Sequence, residues 1–122
     1  MAVVMVVDDE PDVLDILGSV ISRAGHSTLK ASSGLAALDL LDRSSDLDLL
    51  VTDVLMPGLN GFNLARMALL RRPSLKILFL TGFFDLAQTL RDPLSETGKL
   101  LRKPILPDDL TKAVAEAVGA PQ

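Results

Sequence analysis

The strongest constraint on the fold is the stretch from Leu49 to Gly61. Here an apolar run, Leu49-Leu50-Val51-Thr52, stops at a single carboxylate, Asp53. A short continuous apolar run without alternation is the pattern of a strand buried on both faces, as in a parallel sheet. Met56-Pro57-Gly58 and Asn60-Gly61 follow, and these turn signals keep the strand from continuing. In open α/β sheets ligands bind beyond the carboxyl ends of the strands. Asp53 therefore falls on the edge where chemistry is done.

The remaining elements fit the same plan. Val3 to Val7 reads as a second buried strand, ending at Asp8-Asp9-Glu10 and followed by Pro11, a residue suited to the first turn of a helix. Val13, Leu14, Leu17, Val20, Ile21 and Ala24 then recur as the stripe of a helix on a sheet, with Gly25 as its stop. Ser27 to Ala31 is half polar and reads as an edge strand. Ser33 caps a helix through Leu41. A third helix is predicted over Phe62 to Arg72, with Phe62, Ala65 and Leu69 inward and Leu70 at the margin; Met67 is core or half-buried filler.

Lys76 to Leu80 is a strand closed by Thr81-Gly82, and a helix is expected over Asp85 to Arg91, cut short by Pro93. Lys99 to Arg102 makes a fifth, edge strand. Pro107 to Val118 makes the last helix, with Leu110, Val114 and Val118 inward and Ala117 at the margin. Five strands alternating with five helices form a (βα)5 chain, its parallel strands buried between two helical layers.

The 122 residues suit one domain over 1–122, with 119–122 a frayed tail or the start of a linker. With no cysteine, neither a disulfide framework nor a thiolate metal site is available. A net charge of −4 and four Phe as the only aromatics argue against a nucleic-acid-binding face. The chain shows no membrane-span-length apolar run and no signal-peptide pattern, so a cytoplasmic protein that does not enter the membrane is expected.

The predicted strand ends hold Asp8 and Asp9 (first), Asp53 (third), Thr81 (fourth) and Lys103-Pro104 (fifth). Strict alternation would send Asp8 and Asp9 to opposite faces, unless the chain turns into its loop there. Three crowded carboxylates repel one another and favour a hard cation with oxygen ligands, Mg²⁺ above all. Such an ion keeps several waters and can share a site with a phosphoryl oxygen, for which a Lys and a Thr hydroxyl supply positive charge and a donor. Taken singly, each residue has a plainer reading. Asp8-Asp9-Glu10 is also a charged first turn favoured by the helix dipole, and Lys103 a solvated surface charge.

With Asp8-Asp9, Asp53, Met56-Pro57, Gly61, Thr81-Gly82 and Lys103-Pro104 all in order, nearly the whole chain resembles a receiver domain of the two-component response regulators. The resemblance implies a flavodoxin-like, doubly wound five-stranded parallel sheet in the order 2-1-3-4-5. It implies that Asp53 is the phosphoacceptor, taking the group from a histidine kinase, a histidine phosphotransfer protein or a small phosphodonor. Asp9, Asp53 and the backbone carbonyl of Leu55 would ligate Mg²⁺, or Mn²⁺ in its place, with Asp8 assisting through water. Lys103 would hold a phosphoryl oxygen, its bond to Pro104 being cis, and Thr81 would report the modification by turning toward it. The product is a self-phosphorylating switch rather than a turnover enzyme, read by a downstream protein or a linked output domain. The face built from the fourth helix, fifth strand and fifth helix would serve partners or a homodimer.

Some positions depart from that pattern. Leu100 stands where receivers carry Tyr or Phe, so switching is expected to run instead through the loop after Thr81. Leu55 and Phe83, two residues after Asp53 and Thr81, are apolar where the family is often polar, which predicts slow self-dephosphorylation. Phe83, Leu100 and Pro104 thus mark the expected switch and partner face. Leu106 occupies the capping position of the last helix. His26, the one histidine, lies at a turn away from these strand ends, so a phosphohistidine donor comes from another protein. With the last helix closing the sequence, a single-domain regulator or a receiver excised from a longer chain is expected.

The alternative is a pseudo-receiver, a protein-binding module that is never phosphorylated. Enzymes on similar sheets fit poorly. A haloacid-dehalogenase-like phosphatase wants an Asp at Leu55, Gly98-Lys99-Leu100 is not a phosphate-binding loop, and an FMN carrier lacks aromatic partners for its ring.

Overall fold

The apolar runs form the strands. In the computed structural model, which describes residues 2–44, 46–82 and 99–119, β1 is Val3–Val7, β2 Ser27–Ala31, β3 Leu49–Asp53, β4 Lys76–Thr81 and β5 Lys99–Arg102. All pair in parallel in the order β2-β1-β3-β4-β5, with the two half-polar strands at the edges as expected. The described helices are α1 (Pro11–Arg23), α2 (Gly34–Arg43), α3 (Gly61–Arg71) and α4 (Pro107–Val118). The helix expected over Asp85 to Arg91, with Pro93, Phe83 and Phe84, lies outside the described residues.

Alternate strand residues go to opposite layers. Met5, Val7, Leu50 and Phe79 pack with Ala37, Leu41, Leu64, Ala65 and Ala68 of α2 and α3. Val4, Val6, Leu49, Val51, Leu78 and Leu80 pack with Leu14, Leu17 and Ile21 of α1 and with Leu110, Ala113 and Val114 of α4. The central strands are thus apolar on both faces, which is why they show no alternation. Phe62 and Phe79 meet with ring centroids 4.6 Å apart, an aromatic contact under the β3 end.

Several inward assignments change. Leu70 is 83 % exposed and Met67 40 %. At 3.6 residues per turn they stand roughly 140° and 160° round α3 from buried Ala65, whereas Leu64 and Ala68 fall on its side and are buried. Ala24 is exposed, because α1 ends at Arg23 and Ala24 is its cap. On α4 the buried partner of Leu110 and Val114 is Ala113, with Ala117 and Val118 only half-buried. Leu106 does cap α4 without a side-chain hydrogen bond.

From β1 the chain winds outward to β2 on one side, and from β3 onward it winds to the other. The direction reverses between β1 and β3, the crevice where open α/β sheets bind ligands. Registry brings the strand ends level there: Val7 pairs with Thr52, Asp53 with Leu80, and Thr81 with Arg102. Asp53 and Thr81 stand in these pairs, and Asp8 and Lys103 lie one step beyond Val7 and Arg102.

Candidate functional site

Asp53 ends β3 and is almost wholly buried, and Asp8, one residue past β1, is fully buried. Asp9 is exposed but belongs to the same group: Asp8, Asp9 and Asp53 each present a carboxylate oxygen within 4.8 Å of the others. The turn after Val7 brings Asp8 and Asp9 together despite strand alternation. It is held by the Glu10 N–H, which donates to Asp8 Oδ1 at 2.9 Å, and by the Asp8 N–H, which donates to the Ala31 carbonyl.

Lys103 reaches the acids from beyond β5. Its N–H donates to the Thr81 carbonyl at 2.8 Å, fixing the backbone, and the Lys103–Pro104 peptide bond is cis. Lys103 Nζ donates to Asp53 Oδ2 at 3.0 Å and stands 3.8 Å from Asp8 Oδ2. Thr81 is fully buried at the end of β4, its hydroxyl 3.4 Å from the Gly82 carbonyl.

Burial pushes the Asp53 carboxyl above its ordinary value. The hydrogen bond and charge of Lys103 oppose that shift, while Asp8 and Asp9 add to it. Burial pulls the Lys103 ammonium down, but Asp53, then Asp8 and Glu10, outweigh it and raise it, so the lysine stays charged. One cation therefore faces three acids. Among the described residues Asp8 Oδ2 is buried without a hydrogen bond, a costly state for a carboxylate oxygen. That oxygen, beside two further carboxylates, is the donor set a hard divalent cation takes.

The loop after Asp53 is held tightly. Gly61 opens α3 against the backbone of the acceptor strand, where a Cβ would lie 2.2 Å from the Asp53 carbonyl oxygen. The Gly61 N–H donates to the Val54 carbonyl, and Asn60 Oδ1 caps α3 by accepting the Asn63 N–H. Leu55, in this loop, has its side chain 48 % exposed. Leu100 is half-buried against the α2–α3 layer, on the strand next to Thr81, and Pro104 is exposed. Phe83 lies outside the described residues. His26 is far from the site, and its Nδ1 accepts the Ala2 N–H before β1.

Two features went unread in the sequence. Thr52, fully buried, donates its hydroxyl to the Asp53 carbonyl at 3.0 Å; the one polar residue of the run before Asp53 was its signal. A groove of about 250 Å³ also opens beside the acids, lined by Glu10, Val13, Ile16, Leu17, Pro104 and Ile105, with Lys103 as a shared wall. A second groove, about 570 Å³, includes Lys76 and Lys99 at the opposite ends of β4 and β5 and none of these site residues.

Comparison with known proteins gives the family. Residues 4–115 match the family described as the response regulator receiver domain. The response regulator receiver protein CpdR of Brucella abortus is 31% identical over 117 residues, 96% of this chain and 97% of that protein. An uncharacterized transcriptional regulatory protein of Bacillus subtilis, YrkP, is 31% identical over 107 residues, and the match spans only 45% of its length. A crystal structure of a response regulator receiver domain protein from Clostridium thermocellum superposes with a TM-score of 0.89 at 29% identity, covering 98% of this chain and 95% of that one.

Proposed function

The chain belongs to the response regulator receiver domain family of two-component signalling, and from that premise we propose that it is a phosphorylation switch whose acceptor is Asp53. The observation that carries this reading is the Lys103–Asp53 hydrogen bond of 3.0 Å beside carboxylates gathered within 4.8 Å. In the proposed step a carboxylate oxygen of Asp53 attacks the phosphorus of a phosphohistidine. The new O–P bond forms as the P–N bond breaks, and the electron pair returns to the donor imidazole. Lys103 holds a phosphoryl oxygen, and the Thr81 hydroxyl turns to donate to another. Asp8, Asp9 and Asp53, with the Leu55 carbonyl, would hold Mg²⁺ or Mn²⁺, which when bound neutralises charge shared between carboxylates and phosphate. The acyl phosphate carries about −1.5 to −2 charges where the carboxylate carried one, and this added charge beside Asp8 and Asp9 is enough to rearrange the loops around it.

The donor is a histidine kinase or phosphotransfer protein, and the groove along Val13, Ile16 and Ile105 is where its surface rests while its histidine reaches Asp53. The output is a change in protein binding, not turnover of a substrate. No described helix is long and apolar enough to cross a membrane, and a cytoplasmic place fits such a relay. Incubation with Mg²⁺ and acetyl phosphate, read by intact mass, tests the reading. Wild type gains one phosphoryl group and Asp53→Asn gains none. A wild type that stays unmodified leaves a pseudo-receiver instead.

A further inference from the structure

Given the reading that Asp53 accepts a phosphoryl group beside a divalent cation, on which this inference rests, we propose that Thr52 is a positioning residue that aims the acceptor and the loop behind it through its side-chain hydroxyl. The hydroxyl is fully buried in a layer otherwise built of apolar side chains, and it donates to the Asp53 carbonyl at 3.0 Å. The N–H of the same peptide, that of Val54, donates to the Leu80 carbonyl of β4 at 2.9 Å. The next carbonyl, that of Val54, accepts the Gly61 N–H at 2.8 Å. Two consecutive peptides between Asp53 and Leu55 are therefore pinned, the first at both its oxygen and its nitrogen.

The same Asp53 oxygen is the atom that bars a side chain at Gly61, 2.2 Å from where its Cβ would be. A small rotation of this peptide would move the Asp53 side chain in one direction and the start of the Leu55 loop in the other. Packing alone would choose Val at position 52, as it does at Val51, since a buried hydroxyl is costly unless hydrogen-bonded. The hydroxyl is thus explained by what it holds. Groups one bond removed from a metal's ligands set affinity in this way.

Thr52→Val keeps the shape and removes the donor, while Thr52→Ser keeps the donor. Mg²⁺ affinity is read by titrating the backbone amide signals of Val54, Leu55 and Gly61, and phosphorylation by intact mass with acetyl phosphate. We expect Thr52→Val to unfold at no lower denaturant concentration than wild type yet to bind Mg²⁺ about tenfold more weakly, with slower phosphorylation at subsaturating Mg²⁺. Thr52→Ser should stay within about twofold of wild type, inside the tenfold loss expected when such a group is removed. Should the Val variant not fold, Thr52→Ala against Thr52→Ser asks the same question of one hydroxyl. Wild-type Mg²⁺ affinity in the hydroxyl-free variant overturns the inference, as does equal impairment of the Ser variant. A wild type that neither binds Mg²⁺ nor gains a phosphoryl group overturns the reading beneath it as well.

Discussion

Lys103 donates a 3.0 Å hydrogen bond to Asp53 Oδ2 across fifty positions of the chain, and the site's charge balance turns on that contact. The two residues come from the ends of β3 and β5, and the contact crosses the end of β4, which lies between them. The ammonium offsets one carboxylate of three, leaving Asp8 and Asp9 to raise the cost of ionising Asp53, which burial already raises.

Removing that charge should stabilise the fold. Because burial lifts the Asp53 pKa above its ordinary 3.8, the stability it contributes is fully present below that value and is lost as pH rises through its folded-state pKa. Near neutral pH without divalent cation, Asp53→Asn should therefore be more stable by about 0.5–2 kcal/mol. The gap should close in acid below the ordinary carboxylate value. Added Mg²⁺ should narrow it from the other side, by stabilising wild type alone. Urea midpoints at the two pH values, with and without Mg²⁺, check this. A variant less stable than wild type at neutral pH contradicts it.

Gly61 and Gly58 separate crowding from backbone strain. A Cβ at Gly61 would meet the Asp53 carbonyl oxygen at 2.2 Å, and backbone cannot give way as a side chain would. Gly61→Ala should cost about 3 kcal/mol, the upper range of overpacking, and shift the amide signals of Val54. Gly58 has φ +76° with nothing within 4 Å, so Gly58→Ala should cost about 1 kcal/mol through the left-handed conformation alone and leave Val54 undisturbed. Equal losses would mean that the close approach does not matter.

Much of this architecture was legible because strands buried on both faces leave uninterrupted apolar runs, and their ends are marked by Asp8, Asp53 and Thr81-Gly82. The register was not legible: only pairing shows that Val7 stands level with Thr52 and Asp53 with Leu80. Phe62, Ala65 and Leu69 of α3 do face the core, and only the margins of that face, Leu70 and Met67, were not legible, for a physical reason. Phe62, Leu64, Ala65, Met67, Ala68, Leu69 and Leu70 put apolar groups all round that helix, so periodicity could not choose among them. Thr52 stood out in the sequence only as the one polar residue of an apolar run, and its hydrogen bond to the Asp53 carbonyl is visible only in the structure.

With Asp53 phosphorylated as proposed, Leu55 should set how long the modification lasts. Its side chain is 48 % exposed two residues after Asp53, an apolar group where a polar one could orient water toward the acyl phosphate. Leu55→Asn should shorten the lifetime of phospho-Asp53 about tenfold, equivalent to about 1.4 kcal/mol of barrier. Loss of the phosphorylated mass over time after removal of acetyl phosphate measures this. An unchanged lifetime would clear Leu55 of that role.

Under the proposed function, Ile16 should discriminate between small and protein phosphodonors. It is 61 % exposed on α1 and lines the groove whose wall, Lys103, also bonds the acceptor. A protein presenting a phosphohistidine to Asp53 brings its own surface across this apolar strip, and desolvating Ile16 then adds to affinity. Acetyl phosphate, with no protein surface to dock, should not depend on it. Ile16→Asp introduces a charge that a docked partner would bury but that the free protein leaves in water, so the fold should be unaffected. Transfer from a phosphorylated histidine phosphotransfer protein should slow about tenfold, near 1.4 kcal/mol, while the rate with acetyl phosphate stays at the wild-type value. Equal slowing with both donors would place the defect in the acceptor site, and no slowing with either would remove the groove from the docking surface.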